Sequence, residues 1–377
     1  MVEKFNRVVP RVIFAVLMGV LTLGMPGVSS ACTGISLKAE NGDLLFGRTM
    51  EWGAFDLKGR VFVIPRGHKF VGHTPDNKPG FKWQGKYGVI GIDMLKKELL
   101  GSGINEKGLG ICLLYHPGFA QYAQYDPAKA ATSMGPLDVT QYLLATCASV
   151  DEIKGALKKI RVVPVNEPAI GIVPPIHLMI VEPSGKRIVV EFLHGKPKIF
   201  DAPLGVMTNA PTCDWHMINL RNYMNLSAVA WPAKKIQDMD FTPLGGGSGM
   251  IGLPGDFTPP SRFVRAVAYT ATARKTKDGP ETVYEMFRIM DNFNLPLGAA
   301  EGSDNEKKLA GMRSSTIWTV VYDTKNRAMY YHTQHNRRVR KVDMKKIDFS
   351  KLKKTAARPL DKVKAEDMEE VNPLAGK

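Results

Sequence analysis

Cys32 is the position in this sequence with the most chemistry within reach. It follows Ser29-Ser30-Ala31, which places small residues at the −3 and −1 positions of a leader cleavage site. Upstream, Lys4, Arg7 and Arg11 form a positive n-region, and the apolar run Val12–Met25 is short for a membrane span. Pro26-Gly27 ends it. Residues 1–31 therefore read as a signal peptide, and cleavage after Ala31 would leave Cys32 at the head of the mature chain. Two other readings stay open: an uncleaved membrane anchor, and a lipoprotein signal that acylates Cys32. No second flank of charges supports the anchor. Ser29 stands where lipoprotein signals usually carry an apolar residue.

An N-terminal cysteine carries a thiol and a free α-amine on one residue. A free amine of this kind is partly unprotonated near neutrality. It can take the thiol proton directly or through water, so nucleophile and base come together and no catalytic histidine is required. The thiolate attacks an amide carbonyl, and the amine then protonates the leaving nitrogen. Such a site needs a cation beside the thiol, an acceptor that orients the amine, and donors for the oxyanion.

The rest of the composition narrows the alternatives. Hydrophobic residues make up 44% of 377, which excludes wholesale disorder. The four cysteines, at 32, 112, 147 and 213, include no C-x-x-C pair. Zinc ribbons and thioredoxin-like sites are thereby excluded, and Cys112 and Cys147 remain open as a disulfide pair. His332 and His335 suggest no third ligand, so no metal is expected. Gly247-Ser248-Gly249-Met250-Ile251-Gly252 matches G-x-G-x-x-G, but no strand precedes it and Pro254-Gly255 follows where a helix should begin. Neither a P-loop nor a G-x-S-x-G elbow occurs. Asn225-Leu226-Ser227 fits a glycosylation acceptor, a pattern common by chance.

The net charge is +15, and residues 337–377 hold 13 Lys/Arg against 7 Asp/Glu. This reads as a solvated basic extension, 341–377, with weak contact to an anionic surface as the alternative. It lacks the interleaved aromatics of single-strand binders, and no nucleic-acid partner is expected.

Positioning Cys32 requires a scaffold, and the pattern predicts one rich in hairpins. Gly34–Ala39 and Leu44–Phe46 flank the turn Asn41-Gly42-Asp43. Val61–Pro65, Tyr87–Ile92 and Leu109–Tyr115 are further strands. Hairpins also join His177–Val181 to Arg187–Phe192 and Ile317–Tyr322 to Ala328–Thr333. Ser149 and Glu152 make a capping box before a helix with Ile153, Ala156, Leu157 and Ile160 on one face. Pro280 opens another, with Val283, Phe287 and Met290 inward. Hairpins outnumber crossovers, so the class is α+β with largely antiparallel sheets in one domain.

Several strings, in this order and spacing, resemble the choloylglycine hydrolase family, which holds bile salt hydrolases and penicillin V acylases. They are Cys32-Thr33-Gly34, Phe46-Gly47-Arg48-Thr49-Met50-Glu51-Trp52, Asn105-Glu106-Lys107-Gly108-Leu109 and Leu114-Tyr115-His116-Pro117-Gly118. Thr208-Asn209-Ala210-Pro211-Thr212 then leads into Asp214-Trp215-His216 and Asn219-Leu220-Arg221-Asn222-Tyr223. Gly252-Leu253-Pro254-Gly255-Asp256 and Pro260-Ser261-Arg262-Phe263 complete the set. The resemblance covers 32–340 and implies an N-terminal nucleophile hydrolase with an αββα four-layer sandwich.

It also implies roles. Cys32 is nucleophile and base, Arg48 the cation beside the thiol, and Arg262 a second active-site arginine. Asn209 contributes to the oxyanion site, while Met50 and Tyr115 face the substrate. No cofactor is implied. Read alone, the arginines fit surface cations and Asn209 a turn. Glu51 departs from the Asp that most members use to hold the amine. Tyr115 stands where bile salt hydrolases usually have Asn and penicillin V acylases Tyr. The substrate implied is a small N-acyl amide: penicillin V, a conjugated bile salt or an N-acyl homoserine lactone. A silent binding protein with the same fold is the alternative from another class. The length of Asn225–Asp256 resembles the assembly segment of bile salt hydrolases and implies a homotetramer. The leader implies a periplasmic or secreted location.

Overall fold

The computed structural model describes residues 32–53, 56–299, 315–365 and 368–369. The leader and the last residues of the tail lie outside the described residues. Two antiparallel sheets face each other. The first has six strands. Its centre is β1 (Cys32–Lys38) and β2 (Leu44–Trp52). The second has eight, including β3 (Arg60–Ile64), β4 (Val89–Met94), β5 (Leu99–Asn105), β6 (Gly110–Tyr115), β7 (Ile176–Val181), β8 (Arg187–Leu193) and β9 (Lys196–Asp201) in spatial order. β10 (Val206–Met207) flanks β1, and β11 (Ser315–Asp323) pairs with β2 and then with β12 (Ala328–Thr333).

Helices cover both outer faces. α1 (Asp138–Thr146) and α2 (Val150–Leu157) pack on the eight-stranded sheet through Leu143, Leu144 and Ile153 against Ile111, Leu178 and Val190. The short α3 (Cys213–Leu220) follows β10. α4 (Pro259–Thr272) and α5 (Gly279–Asp291) cover the six-stranded sheet through Phe263, Met286 and Phe287 against Ile35, Leu45 and Val321. A third apolar layer between the sheets includes Phe46, Ile90, Leu114, Met179 and Tyr322. Each such side chain, fully buried, contributes about 1.5–3 kcal/mol. The order helix, sheet, sheet, helix is the expected αββα sandwich.

The β1–β2 hairpin carries the front of the site. Asn41 Oδ1 accepts from the Asp43 nitrogen at 3.0 Å, and Gly42 turns with φ +89°, which favours glycine. The sequence pattern ends the return strand at Phe46, because Gly47-Arg48-Thr49 interrupts its apolar character. The structure carries it to Trp52, buried along its whole length between β1 and β11. A strand covered on both faces need not alternate. α2 starts as its sequence indicates: Ser149 Oγ accepts from the Glu152 nitrogen at 3.2 Å, and Glu152 Oε2 accepts from the Ala148 nitrogen at 2.9 Å.

The segment read as a basic extension is a correction in part. β13 (Arg340–Asp343) pairs with β12, and β14 (Ala356–Pro359) pairs with β3, so the tail adds an edge to each sheet. Met344, Phe349 and Leu360 are buried in the inter-sheet layer. Three apolar anchors among so many lysines give no periodic signal, which is why the pattern reads as solvated.

Candidate active site

Cys32 begins β1, and its register partner is Met50 on β2. Side chains two apart on a strand share a face, so Arg48 and Met50 both point into the inter-sheet space beside the thiol. Arg48 Nη2 donates to Cys32 Sγ at 2.7 Å and lies 3.2 Å from Met50 Sδ. The guanidinium is fully buried and held by carbonyls: Nε donates to Thr49 O at 3.1 Å, and Nη1 to Gly101 O and Leu113 O. Those last two belong to the opposite sheet. The β4–β5 ladder shifts register across Gly101, and the β5–β6 ladder begins only at Ser102–Cys112. Carbonyls at 101 and 113 are thus left for the arginine.

The other face of the same strands holds a second cation. Arg262 rises from the first turn of α4 and is fully buried. Nη1 donates to the Cys32 carbonyl and to Thr33 Oγ1, and Nη2 to Asn209 Oδ1 at 2.6 Å. Burial pulls Arg262 down to about 10, while Glu51 and Cys32 draw it back up. It remains charged near neutrality.

Asn209 joins the two sheets. Its Oδ1 accepts from the Cys32 nitrogen at 2.8 Å, and its Nδ2 donates to the Tyr115 carbonyl at the end of β6 at 2.7 Å. The resemblance gives the nitrogen contact to position 51; here Asn209 makes it. Glu51 accepts from Thr316 Oγ1 at 2.8 Å, and its Oε2 is buried without a hydrogen-bond partner. Burial raises this carboxyl to about 7, against the opposing pull of Thr49, Arg262, Thr316 and Arg48. Thr316 has one hydroxyl proton and a second acceptor, the Phe293 carbonyl, at 3.1 Å. A protonated Glu51 satisfies both contacts.

An apolar pocket opens on Cys32 and Arg48. Met50, Trp52, Leu57, Met94, Leu113, Tyr115, Leu137, Ile170 and Ile176 line it, with Glu167 the one carboxylate among the described residues there. Burial pushes the Tyr115 hydroxyl up to about 12, so it stays protonated and can donate. All seven residues singled out from the sequence, Cys32, Arg48, Met50, Glu51, Tyr115, Asn209 and Arg262, thus converge. Cys112, Cys147 and Cys213 are buried free thiols, so Cys112 and Cys147 do not pair.

A family model for linear amide C–N hydrolases, the choloylglycine hydrolase family, matches residues 32–357. The chain belongs to that family. It is a hydrolase of linear amides. It is 34% identical over 331 residues to a bile salt hydrolase/transferase of Clostridium perfringens, covering 85% of this chain and 95% of that protein. A variant of the conjugated bile acid hydrolase from Clostridium perfringens superposes with a TM-score of 0.77 at 30% identity, over 90% of this chain and 100% of that one. A penicillin V acylase of Pectobacterium atrosepticum is 26% identical over 378 residues, covering 94% of this chain and 92% of that protein.

Residues around this family site escaped the sequence reading. Thr316 holds Glu51, and the buried His177 and His216 contact the Thr208–Asn209 backbone. The string Asp214-Trp215-His216 marks His216 as part of a motif but carries no sign of its partner. His116, His177 and Glu191 bring potential ligand atoms within 4.8 Å of one another. The two imidazoles stack at 4.3 Å with planes 8° apart. Their in-plane lone pairs run parallel and do not converge on one ion.

Proposed function

We propose that the chain is an exported N-terminal cysteine amidase that cleaves N-acyl amides with an apolar acyl group. The observation that carries this reading is the placement of Cys32: its thiol on Arg48, its nitrogen on Asn209, and an apolar pocket beside both. Cleavage after Ala31 converts that nitrogen into the α-amine. The amine takes the thiol proton, and Sγ attacks the substrate carbonyl to form a tetrahedral oxyanion. Collapse breaks the C–N bond, and the ammonium returns its proton to the leaving nitrogen. Water, deprotonated by the same amine, then hydrolyses the thioester and restores the thiol.

Penicillin V and conjugated bile salts are the substrate classes in competition, and the relatives include proteins named for each. Tyr115 in the pocket wall supports the first. A periplasmic or secreted location follows from the leader alone. For a homotetramer, the support is the Asn225–Asp256 segment, where Val229, Trp231, Ile236, Met239, Phe241 and Leu244 are exposed. Apolar patches of this kind mark association surfaces.

The test joins intact mass to a substrate panel. Active protein should begin at Cys32, lose activity on alkylation by iodoacetamide, and hydrolyse at least one of penicillin V, glycocholate and an N-acyl homoserine lactone. Activity in protein that retains Ala31 or carries an acylated Cys32 would overturn it.

A further inference from the structure

Asn209 lies in a short connection between β10 and α3, yet its side chain must meet a nitrogen, a guanidinium and a carbonyl at once. The main chain here is held by two histidines. His177, on β7, donates Nε2–H to the Thr208 carbonyl at 2.9 Å. His216, on α3, donates Nε2–H to the Asn209 carbonyl at 3.0 Å. A carbonyl only accepts, so each ring carries its proton on Nε2. We propose that His177 and His216 are positioning residues for the hydrolytic site: they clamp consecutive carbonyls and so fix the direction of the Asn209 side chain. This rests on the reading of Cys32 and Asn209 given above.

The reason is geometric. The Thr208 carbonyl sets the peptide plane before the Asn209 Cα, and the Asn209 carbonyl sets the plane after it. Two fixed planes define φ and ψ of the residue between them, and with these the direction of its Cβ. A rotation of either plane swings Oδ1 away from the Cys32 nitrogen. Misplacement by about 1 Å can cost about a hundredfold in rate.

Both rings are rigidly seated. His177 and His216 are fully buried. His177 stacks on His116 at 4.3 Å. His216 stacks on Phe263 of α4 at 4.7 Å with planes 15° apart. The helix that carries His216 is itself tied to the eight-stranded sheet, because buried Glu191 on β8 accepts from the Cys213 nitrogen at 2.7 Å. Thr208 Oγ1 donates to the Pro259 carbonyl at 2.9 Å, which ties the same segment to the start of α4. Burial holds both imidazoles well below their ordinary range, at about 4, with the buried Glu191 Oε1 3.6 Å from His177 Nδ1 as the one facing carboxylate among the described residues. The clamp is therefore built from neutral donors that add no charge behind the reacting centre.

Each histidine in the mature enzyme is replaced by Phe, which keeps the stacking and removes the donor, and by Gln, which keeps a donor. Activity is read as kcat and KM on the best substrate, folding by circular dichroism. His216→Phe and His177→Phe are expected to lose about 10–100-fold in kcat with KM within about threefold, and the Gln variants to recover most of it. Folded Phe variants with wild-type kcat overturn the proposal. If Phe does not fold, the Gln variants decide: a folded Gln variant that loses kcat more than about tenfold overturns it, and one near wild type supports it. Failure of the underlying reading looks different, since Cys32→Ser would then stay active while the histidine variants behaved in either way.

Discussion

The Cys32 nitrogen and Asn209 Oδ1 stand 2.8 Å apart across 177 positions of sequence. Oδ1 also takes Arg262 Nη2, so both of its lone pairs are used. Nδ2 spends one hydrogen on the Tyr115 carbonyl and keeps a second. In the proposed reaction the amide would hold the base with its oxygen and still offer a donor to the reacting carbonyl. Asn209→Ala should lower kcat by roughly 10² to 10³ with little change in KM, as for a lost oxyanion donor. Steady-state kinetics on one substrate checks this, and an unchanged kcat would leave Asn209 only its place in the turn.

Cys32→Ser should lose at least roughly a hundredfold in rate, since a hydroxyl ionises far less readily than a thiol. The buried Arg48 stays in place for either side chain, so the loss reports the nucleophile and not the fold. Near-normal turnover in the serine variant would remove Cys32 from the reaction.

Glu51→Gln tests the charge at position 51. The carboxyl is raised to about 7, and its contacts with Thr316 are satisfied when it is protonated. A neutral amide should then keep kcat within about threefold of wild type below pH 7. A loss of about a hundredfold there would mean that the ionised form holds the amine.

The hairpins and the antiparallel α+β class were legible because they have local signatures, turn residues between apolar runs and a capping box, whereas the four-layer order came only with the family resemblance. Contacts between distant segments were not legible. Asn209 reads as part of an Asn-Ala-Pro turn, and nothing nearby announces that its oxygen meets Cys32. Arg48 breaks the apolar pattern of β2, so pattern reading stops the strand just before the residue that matters. The nine-residue α1 escaped because Asp138 to Ala145 are all buried, which erases the polar face that marks a surface helix. Position 51 was visible as a departure from the family, but its consequence depended on Thr316, a residue from the far side of the chain.

Four buried histidines should make the fold sensitive to acid. Burial holds His177 at about 4, and burial first, with neighbouring positive groups, holds His216 at about 4 and His116 and His332 at about 3. In the unfolded chain they titrate near ~6.5. Between these values the unfolded state binds more protons, so stability present above ~6.5 is lost as pH falls toward 4, by about 1.4 kcal/mol per histidine per pH unit. Glu51 runs the other way: its raised value favours the fold below ~4.5 and is lost as pH rises through about 7. Urea midpoints should therefore fall steeply from pH 6.5 to 4.5. His332→Gln, which touches none of the reacting groups, should make that slope shallower by about one proton. A pH-independent midpoint over this window would contradict neutral burial of these rings.

Substrate choice should turn on Tyr115. Its ring lines the pocket with Leu113 and Ile176, and its bulk should leave less room for a steroid. Its face can also stack on an aromatic acyl group such as phenoxyacetyl, worth ~0.5–1.5 kcal/mol. That is about tenfold in kcat/KM at most, so the preference should be partial. Tyr115→Asn should move the penicillin V to glycocholate ratio toward glycocholate by about that factor, measured side by side on the same preparation. The Asn209 contact goes to the Tyr115 carbonyl and survives the substitution, so a change in ratio reports the side chain and not a displaced Asn209. If wild type strongly prefers glycocholate and the ratio does not move, specificity lies elsewhere in the pocket, with Leu137 and Ile170 on the opposing loops the next residues to exchange.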